Sequence, residues 1–235
     1  MSRSTVRRLR RSICQPSPRK RRLPRHRSRR ERYSQQGMLL QLDGSTHDWL
    51  EGRGGQLTLI AAIDDATNEV PYALFREAED AAGYYELMRT ISQTHGLPQA
   101  VYADRHSIFQ SPAKATLEQE MAGQLPRSQF GRLMDELAIE LIEARSPQAK
   151  GRIERLFGTL QDRLVKELRE AGATTGREAN QVLWAYLPHF NARFWVPPRQ
   201  TGSAYRPWPV DLKPEETFCF KHRRTVNGDN TISFS

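Results

Sequence analysis

Three acidic residues have the types and surroundings that phosphodiester chemistry requires. Asp43 lies in the apolar run at residues 39–44, and Asp104 follows the apolar run at 100–103. Glu154 lies near the start of an amphipathic stretch. Carboxylates on two strands and a helix can hold a pair of divalent cations, which activate an attacking oxygen and stabilise a leaving one. Because three neighbouring carboxylates repel one another, we expect two Mg²⁺ or Mn²⁺ ions in an oxygen-rich site.

Each of these acids also has a structural interpretation. An aspartate at the end of a strand is commonly a turn or cap residue, and a glutamate in the first turn of a helix favours the helix dipole. The combination of all three favours a shared site. Among the neighbouring acids, Asp48, Asp64 and Asp65 lie in turn-like segments, and we interpret these three as structural.

Hydrophobic periodicity predicts the elements that must position the three acids. Three strand-like runs joined by short turns indicate an antiparallel meander, and Pro71 favours an edge position for the third. The full order, β-β-β-α-β-α-β-α, is that of the ribonuclease-H-like α/β fold, with a mixed five-stranded sheet flanked by helices. The predicted elements are strands at 38–43, 57–63 and 70–75, a helix at 81–91, a strand at 100–103, a helix at 130–137, a strand at 139–142 and a long helix at 153–168.

This topology brings the acids together. The first and fourth strands are neighbours in such a sheet, so Asp43 and Asp104 are expected side by side. The helix of Glu154 can pack across the sheet with its N-terminal end beside them. Residues 110–127 are polar and weakly patterned, and we predict a loop or insertion there.

The segments beyond this core carry further signals. Thr175 and Glu178 form a capping box that opens a helix reaching about Leu187, before Pro188. Residues 217–220 are strand-like. We therefore predict a basic disordered tail and linker at 1–36, a core at 37–195, and a linker with a truncated small β region at 196–235.

The positive charge of the chain is concentrated in residues 1–30. They contain thirteen Arg or Lys and no Asp or Glu, although the whole chain carries only +9. Such a segment cannot bury enough apolar surface to fold alone, so we predict a disordered tail that contacts nucleic-acid phosphates nonspecifically. A solvated linker and a mitochondrial-type presequence are the alternatives, and the missing amphipathic apolar face argues against the presequence.

Composition also limits the cellular setting. No apolar run approaches the ~20 residues that cross a bilayer, and no N-terminal stretch has the pattern of a secretory signal. Cys14 and Cys219 lie at opposite ends of the chain and indicate neither a disulfide framework nor a zinc site. We expect no membrane partner and a reducing, cytoplasmic compartment.

Four segments resemble insertion-sequence transposases with an Asp-Asp-Glu (DDE) site, which are relatives of retroviral integrases. The segment QLDGS at 41–45 is similar to the first-strand motif of the ISNCY-type bacterial enzymes. Asp104 followed five residues later by Phe109 is similar to an integrase pattern. The most specific segment is SPQAKGRIERLFGTL at 146–160, and FNARF at 190–194 resembles the segment after the core.

The resemblance covers roughly residues 33–225 and implies a function. It implies metal-dependent cleavage and strand transfer of transposon DNA, with Asp43, Asp104 and Glu154 as catalytic metal ligands. It also implies a homo-oligomer, because transposases pair two DNA ends, and a bacterial cytoplasm in which the protein associates with the nucleoid through DNA. Because residues 1–37 show no helix-turn-helix pattern, we expect a form truncated at both ends.

The chain departs from the family pattern at three places. Arg105 and His106 replace the usual Asn-Gly of integrases. The interval from Asp104 to Glu154 is 50 residues, longer than the familiar spacing. Gln161 stands where many relatives carry Lys or Arg seven residues after the glutamate.

Basic residues near the third acid are candidates for DNA contact. Lys150, Arg152 and Arg155 flank Glu154 and could bind phosphates, although ordinary solvent-facing charge explains them equally well. His106 could contact substrate or an attacking water, although many histidines are structural.

Two other functions fit the same residues. The chain could be a catalytically inactive DNA-binding remnant that acts through its basic tail and interferes with an intact transposase. It could also be a ribonuclease-H-like hydrolase on DNA or RNA, which shares the acidic site and differs in its nucleophile.

Overall fold

The computed structural model describes a five-stranded sheet flanked by helices. The described residues are 30–104, 108–109, 121, 126–143, 150–222, 224 and 226–232. The elements in chain order are β1 (Leu39–His47), β2 (Leu57–Asp64), β3 (Ala73–Arg76), α1 (Ala81–Thr94), β4 (Ala100–Ala103), α2 (Gln129–Glu136), β5 (Glu140–Glu143), α3 (Gly151–Glu170), α4 (Gly176–Phe194) and the short α5 (Pro214–Thr217).

The strands follow the order β3-β2-β1-β4-β5 across the sheet. β1 pairs antiparallel with β2 and parallel with β4. β3 pairs antiparallel with β2, and β5 pairs parallel with β4. The sheet is therefore mixed, β3 lies at an edge, and β1 and β4 are neighbours, as the sequence predicts.

Each face of the sheet carries an apolar cluster. β2 is buried along its whole length and shows the two-residue alternation of a strand between two layers. Leu59 and Ala61 pack with α3 and α4 on one face. Ile60 and Ala62 pack with α1 and α2 on the other. The three-layer arrangement fixes α3 above the strands that carry the acidic residues.

Side chains of α4 pair with the free edge at β3. The Asn180 amide accepts from the Phe75 N–H at 2.7 Å and donates to the Phe75 carbonyl at 3.1 Å. Asn191 does the same for Val70, which lies three residues before β3, at 2.9 and 3.0 Å. These contacts satisfy strand groups that would otherwise be open to another chain.

The predicted end of α4 before Pro188 is wrong. α4 continues through Pro188 to Phe194. Proline removes one hydrogen bond from a helix interior and strains the preceding turn. Here Phe190 is buried in the core and Asn191 pairs with Val70, so tertiary contacts beyond the proline outweigh its local cost.

The strand predicted at 217–220 is also wrong. Thr217 ends α5, and its hydroxyl donates to the Lys213 carbonyl at 2.9 Å. Pro214 at the start of α5 has the backbone angle that a first helical position requires. Of the residues described beyond 195, extended pairing is confined to isolated bridges, including one between Val226 and Ile232.

Some predicted segments lie outside the described residues. They include residues 1–29, most of the predicted loop at 110–127, and His106. In the described parts of the chain, no helix is long and apolar enough to cross a bilayer.

Candidate active site

The pairing of β1 with β4 places Asp43 and Asp104 beside each other. Gln41 on β1 is aligned with Tyr102 on β4. Two residues further along each chain are Asp43 and Asp104. Because side chains two apart in a strand share a face, both carboxylates extend toward the layer that contains α3.

Lys150 joins the two carboxylates. It is the residue directly before α3, and its ammonium Nζ lies 3.0 Å from Asp43 Oδ1 and 3.0 Å from Asp104 Oδ2. Its side chain is only 12% exposed. Two carboxylates thus converge on one cationic centre, which is an arrangement that a divalent ion with oxygen ligands also uses.

The electrostatics of these groups reflect burial and mutual charge. Burial raises the pKa of Asp43, and Lys150 opposes this rise. The negative charges of Asp104 and Glu79 add to it. Burial works against the charge on Lys150, but the two aspartates outweigh it, so the pKa of Lys150 is raised.

Glu79 is a further carboxylate at this end of the sheet that the sequence analysis missed. It precedes α1, and its carboxylate lies so close to Gly44 that a β-carbon at position 44 would come within 2.5 Å of it. The Tyr84 hydroxyl donates to Glu79 at 2.6 Å. Burial, followed by the charge of Glu79, raises the pKa of Tyr84 well above its usual value. The glycine directly after Asp43 is the only sequence signal for this approach.

Glu154 lies in the first turn of α3 and is exposed. Within the described ranges, no three acidic, histidine or cysteine side chains lie close enough to hold a metal ion together. The structure therefore brings Asp43 and Asp104 together and leaves Glu154 on the adjacent helix turn. The hard oxygen donors of the aspartate pair fit Mg²⁺ or Mn²⁺, and the Lys150 ammonium occupies the position of a shared cation.

Arg152 has an internal partner. Its guanidinium donates to Asp65 at 2.7 Å, its side chain is 10% exposed, and Asp65 is fully buried. The interpretation of Asp65 as structural agrees with this contact. The predicted contact of Arg152 with DNA has no support in this geometry, because the charge is directed into the protein.

The remaining candidates differ in their surroundings. Arg155 is exposed in the first turn of α3. Gln161 donates to the Ser45 hydroxyl at 3.2 Å and so links α3 to β1. His106 lies outside the described residues.

The fold is shared with a retroviral integration complex. The chain matches one chain of the simian T-cell lymphotropic virus intasome, solved by cryo-EM in complex with PP2A regulatory subunit B56 gamma, with a TM-score of 0.51 and 17% identity. The match covers 84% of this chain and 66% of that one. The predicted class, an integrase-type ribonuclease-H-like core, is confirmed as a fold.

Two bacterial proteins are similar in sequence. The chain is 38% identical over 211 residues to a Sinorhizobium fredii protein named "Putative transposase y4bF", which covers 88% of this chain and 44% of that protein. It is 37% identical over 158 residues to the transposase for insertion sequence IS1202 of Streptococcus pneumoniae, covering 67% and 33%. No family model matches the chain.

The chain is thus similar to two bacterial transposases, one of them from an insertion sequence, and the predicted resemblance to transposases is confirmed. It spans less than half the length of either of these relatives.

Proposed function

We propose that this chain is the catalytic core of a DNA transposase, which cuts and joins transposon DNA. In this core Asp43, Asp104 and Glu154 hold divalent metal ions. The convergence of Asp43 and Asp104 on the Lys150 ammonium supports it most directly, because these carboxylates already share one cation. Similarity to two transposases supplies the substrate class.

Each residue has a distinct part in this function. Mg²⁺ or Mn²⁺ held by the carboxylates would activate the attacking oxygen of water or of a DNA 3′-hydroxyl, and would stabilise the leaving oxygen. Asp43 lies within β1, and Asp104 directly follows the neighbouring strand β4. We expect Lys150 and the exposed Arg155, at the start of α3, to contact the phosphates of a DNA strand.

The partners follow from the same reaction. Joining two transposon ends to a target requires DNA and at least two active sites, so we expect the protein to assemble as a homo-oligomer on DNA. In a bacterium this DNA lies in the nucleoid, which makes the cytoplasm the expected location.

Plasmid nicking tests the proposed function. Supercoiled DNA is incubated with Mn²⁺ or Mg²⁺ and either the wild type or the Asp104→Asn variant, at protein concentrations that give equal DNA binding. We expect nicking by the wild type and none above the metal-free background for the variant. Equal nicking by both proteins would contradict the assignment of Asp104.

A second function is favoured by the basic segment at 1–30, with its thirteen Arg and Lys. A non-catalytic DNA-binding protein would bind DNA in a strongly salt-dependent way. Its DNA affinity would be unchanged by Asp104→Asn, and neither protein would nick DNA.

A third function, hydrolysis of DNA or RNA, is distinguished by strand-transfer products with a labelled donor end. Only a transposase forms these products, since only it uses a DNA 3′-hydroxyl.

A further inference from the structure

A buried carboxylate lies under the start of α3. Asp65 is fully buried at the end of β2. Its Oδ1 accepts from Arg152 at 2.7 Å and from the Gln41 side-chain amide at 2.7 Å. Its Oδ2 accepts from the Tyr33 backbone N–H at 2.9 Å. One carboxylate therefore ties together the segment before β1, β1 itself and α3.

Gln41 provides the second link to α3. It is fully buried, and its Oε1 accepts from the Ile153 backbone N–H at 3.3 Å. The first residues of a helix have backbone N–H groups without partners inside the helix. At α3 the residue in the cap position, Lys150, gives no side-chain cap. Gln41 thus takes one of the contacts that a local cap usually supplies.

We propose that Asp65, Gln41 and Arg152 are positioning residues that fix the first turn of α3 against β1. Arg152 and Ile153, which make these contacts, lie between Lys150 and Glu154 in the chain. Gln41 lies two residues before Asp43 on the same face of β1. The network therefore sets the distance between the aspartate pair on the sheet and Glu154 on the helix. This role rests on the proposed function of those acids.

Stability alone is a poor explanation for this network. A buried ion pair usually gives no more stability than apolar residues of the same volume, because both charges lose their hydration. Apolar packing already attaches α3, since Ile153 and Leu156 are buried in the cluster below it. Directional bonds add a defined position, and a displacement of ~1 Å in an active site can cost about 100-fold in rate.

Hydrogen exchange and metal binding test this role together. Mass spectrometry measures amide exchange in the chain of residues 1–235 for peptides covering 151–156 and 160–168, in the wild type and the Arg152→Gln variant. Titration with Mn²⁺ in the absence of DNA measures metal affinity. Arg177→Gln is the matched control, because Arg177 is also the second residue of a helix after a glycine, but it is exposed.

We expect exchange at 151–156 to rise about 10-fold in Arg152→Gln, as for one lost buried hydrogen bond. Exchange at 160–168 rises only as far as the lower free energy of unfolding requires. Mn²⁺ affinity falls about 10-fold. Arg177→Gln changes neither quantity. Gln41→Leu keeps the ion pair and should show the same rise of exchange at 151–156 and the same fall in Mn²⁺ affinity. It tests the positioning role if Arg152→Gln does not fold.

Two results would overturn the positioning role. One is a rise of exchange at 151–156 that the lower free energy of unfolding explains in full, which would mean that the network only stabilises the fold. The other is unchanged Mn²⁺ affinity in both variants of a protein whose wild type binds the metal. A wild type that neither binds Mn²⁺ nor nicks DNA would refute the proposed function instead, and the exchange pattern would still decide whether the network holds the first turn.

Discussion

α3 and α4 begin with the same dipeptide but are anchored in opposite ways. α3 begins with Gly151–Arg152 and α4 with Gly176–Arg177. At α4, the Thr175 hydroxyl accepts from the Glu178 N–H at 3.3 Å, and the Glu178 carboxylate accepts from the Thr175 N–H at 3.1 Å. This reciprocal pair is a complete capping box made by four consecutive residues.

The start of α3 has no such local closure. Lys150 in the cap position makes no capping bond, and its ammonium is directed to the two aspartates. Gln41 and Asp65 on the sheet supply the contacts instead. A local cap stabilises the first turn of a helix but does not fix the position of that turn relative to the sheet. A helix held by the sheet has its start fixed relative to the sheet, which is what a site shared between them requires.

The largest difference is expected between the two arginines that follow the glycines. Arg152→Met removes the charged partner of the fully buried Asp65 and should lower the free energy of unfolding by about 3 kcal/mol. This is the low end for a broken buried pair, because Gln41 and Tyr33 still donate to Asp65. Arg177→Met at the exposed start of α4 should change it little. Urea denaturation measures both, and equal losses would show that the two helix starts are anchored alike.

A smaller effect is expected at the amide link. Gln41→Leu leaves the Ile153 N–H and one bond to Asp65 unmade in the interior, which should cost about 2 kcal/mol. Gln161→Leu is the matched control, since it removes a hydrogen bond from α3 to Ser45 of β1 at a partly exposed position. There water can replace the lost partner, and the loss should be about 1 kcal/mol or less. If Gln161→Leu lowered the free energy of unfolding more than Gln41→Leu does, the main polar contact between α3 and the sheet would lie further along the helix.

The same contrast explains what the sequence could predict. The capping box of α4 involves residues three apart, so Thr175 and Glu178 predict it directly. The contact of Gln41 with Ile153 spans 112 residues, and that of Arg152 with Asp65 spans 87. Arg152 has basic neighbours and reads as solvent-facing charge, and Asp65 follows a strand as a turn residue does. Only the folded sheet brings these polar groups together.

The rest of the fold divides in a similar way. Period-two and helical patterns predicted the strands and helices of the core, and the element order predicted that β1 and β4 are neighbours. The course of α4 past Pro188 was not predictable, because it depends on pairing of Asn191 with Val70, 121 residues away. The adjacency of Asp43 and Asp104 was predicted from topology. The pairing of Lys150 with both aspartates was not predicted, since the direction of its side chain depends on α3 being in place.

The local cap of α4 should matter for stability and not for the site. Thr175→Ala removes the bond to the Glu178 N–H and should cost about 1 kcal/mol. Thr175→Ser keeps the hydroxyl and should restore most of this loss. Mn²⁺ affinity should be unchanged in both variants, in contrast to Arg152→Gln. A fall in metal affinity on loss of Thr175 would mean that the start of α4 also sets the geometry of the acids.

The smallest effect concerns the other half of the capping box and depends on pH. Bonds from the backbone and hydroxyl of Thr174, and from Thr175, lower the pKa of Glu178 below its usual 4.5. Because the folded value lies below the unfolded one, the ionised carboxylate adds stability above the unfolded pKa, and this stability is lost as the pH falls through the folded value. Glu178→Gln should therefore be less stable than the wild type at about pH 7, and the gap should be smaller at about pH 3. Thermal midpoints measured at both pH values test this. A gap that stays constant would mean that the difference between Glu178 and the amide does not come from the charge of the carboxylate.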